Sequence, residues 1–122
     1  MNKLIYLFAF LGLLAFSCSD DTDPVKACNV DNVLDMPWMQ ELIAETEEFE
    51  IGRDYAYITM GTYDSQTVFV PQNCCPNCNM SPPLVYDCSG EVLGQLRTDG
   101  IEWEEITDSE VIWKSSNNSC NI

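Results

Sequence analysis

The chain contains no histidine, and only 5 of its 122 residues are lysine or arginine. Without histidine there can be no Ser–His–Asp triad, no Cys–His dyad and none of the common catalytic zinc sites. The 5 basic residues face 20 aspartates and glutamates, for a formal net charge of −15. Such a surface repels phosphate backbones, so nucleic acid is excluded as a partner. The N-terminal apolar segment, Leu4 to Phe16, has 13 residues and no charge. An ordinary membrane-spanning helix needs about 20 apolar residues, so this run is too short to cross a bilayer. No internal repeat is visible. What the chain does have is a core-forming composition, 46% hydrophobic and 11% aromatic. That excludes a fully disordered chain, which needs low hydrophobicity as well as high charge.

The short basic start Met1–Asn2–Lys3 and the apolar run after it have the pattern of a secretory signal, expected over residues 1–17. Ala15–Phe16–Ser17–Cys18 resembles a bacterial lipobox, and Ser19–Asp20–Asp21 resembles the acidic export signal of Bacteroidota lipoproteins. The resemblance implies a lipid on Cys18 and a place on the outer membrane, facing outward. Acyl chains anchor at about 0.8 kcal/mol per buried CH₂, so the protein would be held to the membrane without crossing it. Residues 18–27 are expected to be the lipidated cysteine and an acidic tether, and residues 28–122 one disulfide-rich domain. Asp20, Asp21 and Asp23 lack the glycine and terminal glutamate of an EF-hand loop, so they are read as tether and no metal site is assigned.

Of seven cysteines, assigning Cys18 to lipid leaves Cys28, Cys74, Cys75, Cys78, Cys88 and Cys120. Six cysteines in a small exported chain read as three disulfides, for which 15 pairings are possible. A Cys74–Cys75 bridge is disfavoured, because adjacent Cα atoms lie about 3.8 Å apart, below the usual disulfide range of about 4.4–6.8 Å. These two are expected to find different partners. Cys28 and Cys120, near the domain ends, could each tie a terminus to the central cluster. Cys75-x-x-Cys78 also has the spacing of a redox pair or of half a zinc site. Pro76 and Asn77 suit a loop better than a helix start, and no second pair completes a zinc tetrahedron.

Trp38, Met39, Leu42, Ile43, Thr46 and Phe49 recur at three- and four-residue spacing. They predict an amphipathic helix over 35–50, with Asp35 as cap, Pro37 in the first turn and Gly52 at the end. Beyond it, 55–60 and 66–70 read as strands around a short turn, with Pro71 ending the second. Residues 84–86 and 91–96 flank an Asp87–Gly90 turn, and 111–113 form a last short strand. Asp99 with Glu102 suggests a capped turn bearing Trp103 and Ile106. The expected fold is α+β: one N-terminal helix packed on an antiparallel sheet of about four to five strands, disulfide-stapled, with the other sheet face left to water or a partner.

Several segments in this order are similar to an uncharacterised family of small Bacteroidota lipoproteins, a domain of unknown function. They are Met36–Pro37–Trp38, Glu41–Leu42–Ile43, Tyr55–Ala56–Tyr57–Ile58–Thr59, Gln66–Thr67–Val68–Phe69, Asn73–Cys74–Cys75, Tyr86–Asp87–Cys88–Ser89–Gly90 and Val111–Ile112–Trp113–Lys114. The resemblance brings no catalytic residue and no cofactor. The anchor, the disulfides and the lack of a catalytic constellation lead us to expect a non-catalytic, surface-anchored interaction module of unknown ligand, with an unknown protein as one candidate partner. The order of helix and hairpins is also similar to cystatin-like inhibitors. A second expectation is therefore a protease inhibitor using Gln72–Pro83 as a rigid wedge, and a third is thiol redox or metal binding at Cys75-x-x-Cys78. A paired-carboxylate enzyme built on Glu102, Glu104 and Glu105 is disfavoured, because acidic clusters arise by chance in so acidic a chain. An apolar patch using Tyr55, Tyr57 or Trp113 would favour a protein partner, whereas a narrow tip around Pro76 would favour inhibition.

Overall fold

A computed structural model describes residues Asp23–Ile122. Cys18 and the segments read as signal and anchor lie outside them. Among the described residues there are two α-helices, α1 (Pro37–Glu47) and α2 (Glu50–Tyr55), and five strands. The strands are β1 (Ala56–Tyr63), β2 (Gln66–Asn73), β3 (Leu84–Tyr86), β4 (Val92–Gln95) and β5 (Thr107–Lys114), in one sheet of order β4-β3-β2-β1-β5. All neighbouring strands pair antiparallel.

The predicted helix is divided in two. Phe49 is extended, with φ −103° and ψ 141°. The Arg53 guanidinium donates to the carbonyls of Glu47 and Glu48 at 2.9 and 3.2 Å, satisfying the end of α1 from within α2. Gly52 does not cap the helix. It is buried in α2, where an added Cβ would lie 1.8 Å from the Thr46 carbonyl oxygen, so only glycine allows this approach. Asp35 does not cap α1 either. It belongs to a 3-10 turn, Val33–Asp35, capped by Asn32, and α1 begins at Pro37 with no side-chain cap. Pro37 at the first helical position removes one of the donors a cap would serve. Phe49, expected in the buried stripe, is 69% exposed, because the break carries it off the α1 face.

β1 and β2 meet at a two-residue turn, Asp64–Ser65, with φ of 49° and 61°. Positive φ at both positions is the hairpin geometry that matches strand twist. Pro71 does not end β2, which pairs with β1 as far as Asn73. Antiparallel bonds alternate sides. The Cys74 N–H bonds to the Tyr55 carbonyl, so Pro71, three residues earlier, turns its nitrogen away from β1. It faces the side where β3 pairs with β2 only at Phe69↔Tyr86, and a missing donor there costs the ladder nothing.

Both faces of the sheet carry a core. On the first, Val33, Met36 and Met39 pack with Ile58, Phe69 and Ile112, and Val25 and Ala27 pack against them. On the second, Val68, Val70 and Val85 pack with Leu96, Ile101 and Ile106. The expected open face is thus largely covered. The strand order gives the reason: β4 and β5 are opposite edges, so the chain between them must cross a face, and it buries three apolar side chains on the way. The turn expected at Asp99 is displaced. Asp99 instead accepts from the Gln95 N–H at 2.8 Å. Glu102 and Glu105 form a capping box around a 3-10 turn, Trp103–Glu105, so this acidic group is a local structural device.

The six domain cysteines form Cys28–Cys88, Cys74–Cys120 and Cys75–Cys78. The adjacent pair does go to different partners. Cys120 ties the C-terminal end to the central cluster, whereas Cys28 goes to the β3–β4 turn.

Candidate functional site: an uncharged loop beside an open cleft

From Ser65 to Tyr86, 22 consecutive residues carry no charge. Burial explains part of this, since Val68, Phe69, Val70 and Val85 are core. It does not explain Pro76, Asn77, Asn79, Met80, Ser81 and Pro82, which are all exposed. The exposed side of α1, by contrast, carries Glu41 and Glu45, with exposed Glu48 just beyond its end. The signal was present in the sequence as a gap between charges, and reading for motifs alone misses it.

The loop is held at its base. The Cys74 N–H bonds to the Tyr55 carbonyl at 3.0 Å. Asn73 Oδ1 accepts from the Cys75 N–H at 2.9 Å, and Asn73 Nδ2 donates to the Ile51 carbonyl at 3.4 Å. The Cys74–Cys120 bridge packs beside this bond, with Cys120 Sγ 3.2 Å from the Tyr55 carbonyl oxygen. On the far side, Gln95 Nε2 donates to the Pro82 carbonyl at 2.8 Å, and the Leu96 N–H to that of Pro83 at 2.9 Å. Among residues 76–81 no such bond is made, so the tip stands between two fixed ends.

Beside the loop lies an open cleft of about 560 Å³. Leu42 and Thr46 of α1 form one wall, and Pro71, Met80, Leu84 and Tyr86 contribute to the rest. Met80 is 53% exposed and Leu84 40%. No carboxylate lines the cleft, and Arg97 is its one charged residue. Burial, and then nearby Glu45, push the Tyr86 phenol above the usual tyrosine range, so it stays a neutral donor. The cleft can therefore hold an apolar or neutral polar group, but it offers no acid–base pair for chemistry.

The remaining expected features are scattered. Cys28 and Cys88 pack against the first core. Tyr55 ends α2, Tyr57 donates to Gln72 Oε1 at 2.9 Å, and Trp113 packs against the first core, so they make no common patch. Among the described residues no group of His, Cys, Asp or Glu is placed to hold a metal, and no helix is long and apolar enough to cross a membrane. No protein-family model, curated protein or solved structure matches the chain.

Proposed function

We propose that this is an outer-membrane lipoprotein, anchored through Cys18 and facing outward, whose domain is a non-catalytic binding module for a protein partner. The reading includes the likeness to small Bacteroidota lipoproteins and takes α1 as the layer that closes one sheet face. The observation that carries the binding role is the exposed, charge-free loop bordering an apolar cleft in a molecule of net charge −15. Exposed apolar surface rimmed by polar residues marks interaction sites, and few like charges there need be desolvated by a partner. The test is capture of proteins by the detergent-solubilised full chain, compared with Met80→Glu and Leu84→Glu. Each variant should weaken capture at least about tenfold, near 1.4 kcal/mol, while Glu104→Lys should not. Equal capture by all three would refute the assignment of this face.

A second reading is favoured by the exposed Pro76–Asn77 tip between stapled ends. As a wedge it would enter a protease cleft with little entropy left to lose, which matches the cystatin-like element order. Titrating secreted proteases with the full chain tests it: stoichiometric inhibition abolished by Asn77→Gly supports it, and no inhibition of any protease class removes it.

A further inference from the structure

We propose that Cys75–Cys78 is a thiol–disulfide exchange site whose substrates are small dithiols. This goes beyond the binding role and does not depend on it. All six cysteines are half-buried, but the other two bridges are tied to the rest of the fold. Cys28 and Cys88 pack against the first core, and Trp38 Nε1 donates to the Cys88 carbonyl at 3.1 Å. The Cys74 N–H bonds to the Tyr55 carbonyl at 3.0 Å, and the Cys120 N–H bonds to Asn118 Oδ1 at 2.9 Å. If either S–S bond were cut, the fold would still hold its two sulfurs together and favour reclosure. Cys75–Cys78 differs. Cys75 is fixed through Asn73, whereas half-buried Cys78 closes the local Pro76–Asn77 turn, makes no hydrogen bond to any other part of the fold and stands between exposed Asn77 and Asn79. Once the bond is cut, Cys78 is free to move away, so the local concentration of its thiol at Cys75 falls and the reduced form gains.

The neighbourhood suits the attacking species. Exchange begins with a thiolate, an anion, and the rate follows access as well as thiol chemistry. The loop has no carboxylate of its own to repel it. One thiolate of the dithiol attacks Sγ of Cys78, and the Cys75 sulfur leaves as thiolate with the bonding pair. The second thiol of the dithiol then attacks the mixed disulfide and releases Cys78. Two electrons pass from the dithiol to the protein disulfide, and the two protons end on Cys75 and Cys78. The dithiol leaves as a cyclic disulfide. The sheet is untouched, because both ends of the loop remain tied by Cys74–Cys120 and by the bonds to Gln95 and Leu96.

The experiment equilibrates the full chain with graded ratios of reduced to oxidised dithiothreitol, alkylates it and maps the labelled cysteines by mass. Cys75 and Cys78 should be labelled together at a dithiol ratio at least about tenfold below that needed for the other four, with the sheet circular dichroism unchanged. A single midpoint for all six cysteines, or earlier opening of either other bridge, would overturn the proposal. A second measurement uses Cys75→Ser, which removes the leaving sulfur. Its Cys78 should take up glutathione from the oxidised form as a stable mixed disulfide. A Cys78 that reacts with iodoacetamide but takes up no glutathione would also overturn it.

Discussion

Asp87 shows how much one side chain organises. Its Oδ1 accepts from the Ser89 N–H at 2.8 Å, the Ser89 hydroxyl at 2.6 Å and the Glu91 N–H at 3.1 Å. These bonds, the Ser89 hydroxyl foremost, hold its carboxyl below the usual aspartate range against a smaller opposing effect of desolvation. The turn they fix presents the Cys88 carbonyl to Trp38 and places Gly90, at φ +83°, against the indole. An added Cβ there would lie 2.7 Å from Trp38 Cγ. A depressed folded pKa stabilises above the unfolded value, near 3.9, and the contribution is lost as pH falls through the folded value. Wild-type protein should therefore lose stability toward low pH more steeply than Asp87→Asn. Denaturant midpoints measured from pH 6 to pH 2 check this, and parallel curves would show that Asp87 is uncoupled from folding.

At the scale of elements, α1 is short and its burial uneven. Met39 is fully buried among Ile58, Phe69 and Ile112, Leu42 is half-buried at the cleft, and Phe49 lies beyond the break. Trp38 completes the contact, edge-on to Phe69 at 5.6 Å and stacked on Tyr86 at 5.7 Å. Met39→Ala should cost about 2–5 kcal/mol, a large share of the roughly 5–15 kcal/mol a domain has. Leu42→Ala should cost less, and Phe49→Ala should stay within about 0.5 kcal/mol, the range of surface changes. Chemical denaturation of the three variants checks the order. Equal losses at Met39 and Phe49 would mean that α1 continues unbroken past Glu47. Helical periodicity could not reveal the break, because its cause is Arg53 reaching back to Glu47 and Glu48.

For the whole molecule, two bridges span the chain and one does not. Sequence separations are 60 for Cys28–Cys88, 46 for Cys74–Cys120 and 3 for Cys75–Cys78. Loop-closure entropy in the unfolded chain grows with the logarithm of loop length, so each long bridge should contribute about 4 kcal/mol and the short one about 2 or less. Thermal unfolding of the three double Cys→Ala variants should rank them in that order, with the Cys75/Cys78 variant nearest wild type. The three would have to melt together, or that variant lowest, to show that the tip loop supports the domain. The absence of charge from Ser65 to Tyr86 also belongs to this scale, because its meaning depends on which of those residues the fold leaves exposed.

By itself the sequence determined composition-level and local features. It specified an α+β chain with an antiparallel sheet, a hairpin turn within Gly61–Ser65 that the structure narrows to Asp64–Ser65, the Asp87–Gly90 turn, an even set of domain cysteines and the incompatibility of a Cys74–Cys75 bridge. Each rests on near neighbours: side-chain alternation, turn residues with special φ, and the fixed span of a peptide unit. The tertiary structure decided what depends on distant residues. It chose among the disulfide pairings, because that choice needs sulfurs from residues as far apart as 28 and 88 in register. It broke the helix at Phe49, let Pro71 stay in a strand, and sent Leu96–Ile106 across the second face, because β4 and β5 lie at opposite edges. Strand order is a property of long-range pairing, and the cleft between α1 and the uncharged loop exists only once that order is set.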